Sequence, residues 1–253
     1  MVTLPRLIGH RGARAVAPEN TLAGFRAAAA AGAGWVEFDV RLSADGVPVL
    51  MHDERVDRTT DGRGAVGELS WAELARLDAG ARFAERFRGE TVPSLADAVA
   101  ELARLGLGAN VEIKPTGTDA ATAASVIAAA LAGCWPRRLP APVVSSFDRG
   151  CLAASRAAAP DLPCALLSER LSDDWQAAAA AFGCVAIHLG DRYLMQSDIA
   201  AVRATRLPLV VWTVNEPERA RRLFAAGITS IITDDPGALA TAAERVGMDG
   251  NQA

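Results

Sequence analysis

Short runs rich in β-branched residues alternate along almost the whole chain with longer runs rich in Ala, Leu and Arg. The first kind reads as buried strands and the second as helices. The pattern predicts strands over residues 4–9, 35–40, 109–114, 142–146, 164–167, 185–189, 207–213 and 228–233. Helices are predicted over 21–33, opened by Asn20 or Thr21 as a cap, and over 94–105, 148–158, 173–182, 196–203, 217–225 and 236–246. After the second strand, Ser43-Ala44-Asp45-Gly46 forms a turn, and residues 47–51 return as a hairpin arm that brings His52 roughly level with Glu37. With that arm set aside, eight strands remain, the number a closed (β/α)8 TIM barrel requires. An open doubly wound sheet wants a glycine-rich phosphate loop after its first strand, and Gly9-His10-Arg11-Gly12 is not GxGxxG.

Residues 53–93 break the alternation with glycines, charges and one short helix over 71–77. They read as an insertion beside the barrel mouth. Residues 1–246 are expected to form one barrel domain, and 247–253 a flexible tail.

In such a barrel the working side chains lie at the C-terminal ends of the strands. The polar set there is His10 and Arg11, Glu37 and Asp39, Glu112 and Lys114, then Trp212, then Thr233-Asp234. At the strand period of two, Glu37 and Asp39 share one face while Val36, Phe38 and Val40 share the other. Two carboxylates projecting from an apolar strand are costly unless a cation sits between them. Lys114 is the only lysine, all other basic residues being arginine, which is mild support for a point-charge role.

A length of 253 residues, 51% hydrophobic and 22% charged with a net charge of -4, suits one large globular core and gives no bias toward nucleic acid. Neither a signal peptide nor a membrane span is visible, so the chain reads as cytoplasmic, without stable membrane association. Cys134, Cys151, Cys164 and Cys184 lack CxxC spacing and read as small buried hydrophobes.

His10-Arg11-Gly12, Pro18-Glu19-Asn20-Thr21, Glu37-Phe38-Asp39-Val40, His52-Asp53, Glu112-Ile113-Lys114, Trp212-Thr213-Val214-Asn215 and Thr233-Asp234-Asp235-Pro236 occur in that order. The ordered set resembles the glycerophosphodiester phosphodiesterase family from Gly9 to Pro236. That resemblance implies a (β/α)8 barrel with an insertion after the second strand, one divalent cation, and hydrolysis of glycerophosphodiesters to sn-glycerol 3-phosphate and an alcohol. By matched position it implies Glu37, Asp39 and Glu112 as metal ligands and His10 and His52 as an acid/base pair, with Arg11 and Lys114 near the phosphate.

Read separately, three carboxylates without a cysteine or histidine cluster form a hard oxygen site, which suits Mg²⁺ or Ca²⁺ better than Zn²⁺, with Mn²⁺ also admissible. The alternative is a structural ion-pair network with Arg11 and Lys114. Trp212 is expected to give the glycerol half an apolar wall, Asp53 to orient His52, and Glu19 to brace the loop under Arg11. His188 is expected in a pocket wall or the core, and Asn20 mainly as a helix cap. A Schiff-base enzyme using Lys114 and a non-catalytic sugar- or phosphate-binding barrel are the other function classes. The head group, and water or the glycerol 2-hydroxyl as nucleophile, stay open.

Overall fold

The computed structural model describes residues 2–116 and 119–240. Among the described residues nine strands run in chain order as β1 (Leu7–His10), β2 (Trp35–Leu42), β3 (Pro48–Leu50), β4 (Gly108–Ile113), β5 (Val143–Ser146), β6 (Cys164–Ser168), β7 (Ala186–Gly190), β8 (Leu209–Trp212) and β9 (Ser230–Thr233). All but β3 are parallel, and β1 pairs with both β2 and β9, which closes an eight-stranded barrel. The fold is a (β/α)8 barrel. The helices are α1 (Leu22–Ala30), α2 (Trp71–Leu74), α3 (Leu95–Leu105), α4 (Ala120–Cys134), α5 (Arg149–Ala158), α6 (Trp175–Phe182), α7 (Gln196–Ala204) and α8 (Pro217–Ala225). Residues 236–240 are helical, and the rest of the helix expected over 236–246, with the tail at 247–253, lies outside the described residues.

The alternation of side chains along parallel strands decides where each core sits. Val36, Phe38 and Val40 face outward into a core shared with Phe25 of α1, Leu95 and Leu102 of α3 and Ile127 of α4. Phe25 and Phe38 are fully buried with ring centroids 5.3 Å apart. Each such side chain contributes about 1.5–3 kcal/mol by leaving water. Inside the barrel, Ile8, Trp35, Val143, Ala165, Ala186, Val210 and Ile232 pack together. Trp35 presses on Gly108 so closely that a Cβ there would lie 2.3 Å from the indole. The floor is therefore apolar, and charge is confined to the other end.

The insertion shares a small core with the hairpin arm, Val49 and Met51 packing with Val56, Val66, Leu74, Ala79 and Val92. It fixes His52 and Asp53 at the mouth. The register of β3 on β2 pairs Val40 with Leu50, and Met51 N–H donates to the Asp39 carbonyl. Continued by one step, it sets His52 opposite Phe38, one residue off the expected level with Glu37.

Helix α4 was not legible in the hydrophobic pattern. Its sequence is so uniformly small and apolar that buried Ala124, Ile127 and Leu131 do not stand out from the other face. The cap is clearer, since the Asp119 carboxylate accepts from the Thr122 N–H at 3.0 Å. Cys151, Cys164 and Cys184 are buried, whereas Cys134, at the end of α4, is exposed against expectation. No described helix is long and apolar enough to cross a membrane.

Candidate active site

The β2–β4 register sets Asp39 beside Glu112, and the β1–β2 register sets His10 beside Glu37. Both pairs point into the barrel at its C-terminal end. Glu37, Asp39 and Glu112 are only 3%, 1% and 8% exposed. Each offers one carboxylate oxygen, and these three oxygens lie within 4.8 Å of one another.

Such a cluster of negative charge would not persist in a dry interior without compensation. Arg11 places its Nε 3.3 Å from Asp39 Oδ2, and Lys114 Nζ lies 3.2 Å from Asp39 Oδ1 while also pairing with Glu112. Burial alone would raise Asp39, but Lys114 and Arg11 outweigh it and hold the carboxyl down at about 2. Glu37 has less help. Burial first, then Asp39 and Glu112, push its carboxyl well above the usual range, and burial with Asp39 brings Glu112 up to about 7. Two cations against three carboxylates leave room for a further positive charge, and an all-oxygen donor set fits a hard divalent cation. Lys114 is raised, because Asp39 and Glu112 overcome the opposing effect of burial. A lysine held charged is not a Schiff-base nucleophile.

The loop from β1 to α1 is shaped around this cluster. Arg11, at φ +49°, donates its N–H to Glu37 Oε2 at 3.0 Å, and its carbonyl accepts from the N–H of Asn20, at φ +55°. Gly12 follows at φ +89°, and a Cβ on it would lie 2.6 Å from the Gly24 backbone of α1. Asn20 is not the helix cap. Thr21 caps α1 by accepting from the Gly24 N–H, which frees the Asn20 carboxamide for Asp39.

Each histidine is backed by a carboxylate. His10 Nδ1 is 2.6 Å from Asp234 Oδ1, and Asp234 in turn accepts from the Asn215 amide at 2.9 Å. His52 Nδ1 is 2.7 Å from Asp53 Oδ1. Burial lowers both imidazoles, and the carboxylate behind each works in the opposite direction. Arg58 spans two elements of this frame, donating to Asp53 at 2.6 Å and to Glu19 at 2.7 Å. Glu19 also accepts from Arg11 at 2.8 Å. Arg41 donates twice to the His52 carbonyl and once to that of Pro115, tying the hairpin arm to the end of β4.

A model of the glycerophosphoryl diester phosphodiesterase family matches residues 10–238. The chain belongs to this family. It is thus a phosphodiesterase, a hydrolase. Over 239 residues, 92% of this chain and 95% of the relative, it is 33% identical to a glycerophosphodiester phosphodiesterase of Caldanaerobacter subterraneus subsp. tengcongensis. An Oleispira antarctica phosphodiesterase, solved in complex with the product sn-glycerol-3-phosphate, superposes with a TM-score of 0.91 at 32% identity, covering 95% of this chain and 97% of that one. For a glycerophosphodiester phosphodiesterase from Agrobacterium tumefaciens the TM-score is 0.79 at 27% identity, with 94% and 100% covered.

In this phosphodiesterase Trp212 lies at the end of β8, its ring edge-on to the exposed Phe147 at 5.4 Å, and Lys114 sits 5.6 Å over the Phe147 ring. His188 points inward on β7, 1% exposed, and burial pulls it down to about 3, so it is neutral. Sequence reasoning did not single out Arg41, Arg58, Phe147 or Asn110. Asp234 was in the polar set expected at the strand ends but carried no role there, and the structure places it behind His10.

Proposed function

We propose that this phosphodiesterase hydrolyses glycerophosphodiesters to sn-glycerol 3-phosphate and an alcohol, with residues 1–246 as one catalytic unit. Glu37, Asp39 and Glu112 hold one divalent cation, Mg²⁺ or Ca²⁺ with Mn²⁺ admissible. Bound there, the cation supplies positive charge for the phosphate oxygens. The observation that carries this reading is the convergence of three buried carboxylates with two carboxylate-backed histidines at one barrel mouth.

Arg11 and Lys114 extend the positive charge toward the phosphate, as cleavage requires on the non-bridging oxygens. His10 and His52 divide proton transfer: one takes the proton of the attacking hydroxyl, and the other gives one to the departing alkoxide. Asp234 and Asp53 fix the tautomers by accepting from Nδ1, leaving Nε2 of each ring to face the reaction. Trp212 and Phe147 form an apolar wall for the glycerol half.

The test is product formation from glycerophosphocholine, -ethanolamine, -serine, -inositol and -glycerol with Mg²⁺, Ca²⁺, Mn²⁺ or chelator. Release of sn-glycerol 3-phosphate that stops in chelator is expected. No release with any metal, or unchanged release in chelator from Glu37→Ala, would overturn the assignment.

A further inference from the structure

Beside the carboxylates is a cavity of about 20 Å³, bounded in part by His10, Glu37, Glu112, Asn110, His188 and Trp212. Three of these side chains carry buried polar atoms without a hydrogen-bond partner: both ring nitrogens of His188, Nε1 of Trp212 and Oδ1 of Asn110. The other end of Asn110 is engaged, Nδ2 donating to Ser145 Oγ at 3.0 Å, and Oδ1 is the end left without a partner. Buried polar groups are normally satisfied, and three orphaned side chains around one small space point to a missing partner.

The chemistry of that partner can be read from the atoms. The indole nitrogen only donates and the amide oxygen only accepts, while a neutral imidazole nitrogen does one or the other according to tautomer. Around one point these three present donor and acceptor together, the complement of a hydroxyl, while Glu37 and Glu112, which also line the space, are the carboxylates assigned above to the cation. The volume admits a single oxygen-sized group. Depth sorts the substrate's own hydroxyls. Asn110 lies one inward step before Glu112 and three residues before the end of β4, and His188 two residues before the end of β7, so they sit roughly 10 Å and 6–7 Å below the strand ends. With the phosphate at the mouth beside Arg11 and Lys114, the group that reaches this depth is the one at the far end of the glycerol chain.

We propose that the cavity is a specificity subsite for one uncharged hydroxyl, the terminal hydroxyl of the substrate's glycerol half, held by His188, Asn110 and Trp212. This rests on the glycerophosphodiester reading above. It makes His188 a substrate-binding residue without a part in proton transfer, and it distinguishes glycerol from a propanediol of almost the same shape. A site built to hydrogen-bond a hydroxyl rejects the analogue lacking it, because its buried polar groups are left unpaired.

The experiment compares glycerophosphocholine with the analogue in which propane-1,2-diol replaces glycerol, keeping the secondary hydroxyl and losing the terminal one. Wild-type kcat/KM is expected to fall at least tenfold with the analogue, mainly through KM. In His188→Leu the fall should appear already with glycerophosphocholine, and the two losses should not add. His188→Asn, which restores a donor and an acceptor, should recover part of the discrimination. Equal wild-type kcat/KM for the two diesters, or a His188→Leu loss of the same size with both, would overturn the subsite while leaving the phosphodiesterase reading intact. Cleavage of neither diester by wild type would overturn both. Should His188→Leu fail to fold by circular dichroism, the wild-type comparison and His188→Asn decide the matter.

Discussion

Asn20 and Asp39, on different elements, exchange two hydrogen bonds: the Asn20 amide donates to Asp39 Oδ2 at 2.9 Å, and the Asp39 N–H donates to Asn20 Oδ1 at 3.1 Å. The left-handed backbone at Asn20 turns the carboxamide inward, and Thr21 does the capping in its place. Asn20→Gly keeps that backbone accessible while deleting the brace. Divalent-cation affinity, followed by calorimetric titration, should fall roughly 10- to 100-fold, as for other residues that orient metal ligands. Wild-type affinity in the variant would show that Asp39 needs no orientation.

This contact marks where the sequence stopped being legible. The parity of β2 is local, so Glu37 and Asp39 could be put on one face from spacing alone. Asn20 lies in a stretch that also makes an ordinary helix start, and its true partner depends on a positive φ that no pattern reports. Arg58 was hidden differently, as one arginine in a chain with 26 basic residues, all but Lys114 being arginine. Only the packing of the insertion reveals that it joins Asp53 to Glu19. Helix α4 was missed because periodicity needs contrast, and a run of alanines has little.

Gly12 should be intolerant of any side chain. Gly12→Ala combines a φ of +89° with a Cβ 2.6 Å from the α1 backbone. Backbone strain of this kind costs about 1–3 kcal/mol, and relieving the clash must move Arg11 off Glu37. Urea melts should show the loss, together with impaired turnover of the folded fraction. An unchanged melt would mean that the loop yields freely.

Cation binding should depend on pH through Glu112. Its carboxyl titrates at about 7, so below that pH a bound cation must displace a proton and above it need not. Affinity should rise with pH through this range, and Glu37 adds to the rise because burial holds its carboxyl well above the usual range too. The sign for stability without cation is opposite. A carboxyl raised on folding stabilises fully below its unfolded value, and that contribution is lost as pH climbs through the folded one. The rise in melting temperature on adding Mg²⁺ or Ca²⁺ should therefore be larger at pH 8 than at pH 5.5. Equal rises at both would remove Glu112 from the linkage.

Asp234 and Asp53 offer a way to tell the two histidines apart. Burial lowers His10, and the Asp234 carboxylate partly restores it. Asp234→Asn should therefore move the His10 limb of the kcat/KM profile to lower pH, and Asp53→Asn should move the His52 limb the same way. Movement of the acid limb identifies a base and movement of the alkaline limb an acid. If both variants shift the same limb, the two rings do not divide proton transfer between them.

The nucleophile is the last open step, and it separates from the hydroxyl subsite by the kinetic parameter affected. A glycerol-sized site holding the terminal hydroxyl and the phosphate brings the 2-hydroxyl toward phosphorus without ordering a separate water. Its oxygen can then attack, one histidine taking its proton and the other protonating the leaving alcohol, to give a cyclic phosphate that water later opens. A diester of propane-1,3-diol keeps the terminal hydroxyl and the phosphate but lacks the attacking group. Its binding should persist while kcat falls by several orders of magnitude, since the lost group reacts only in the transition state. The propane-1,2-diol analogue should show the reverse, a raised KM with kcat largely kept. Turnover of the 1,3-diol diester near the rate of the parent would assign the attack to water.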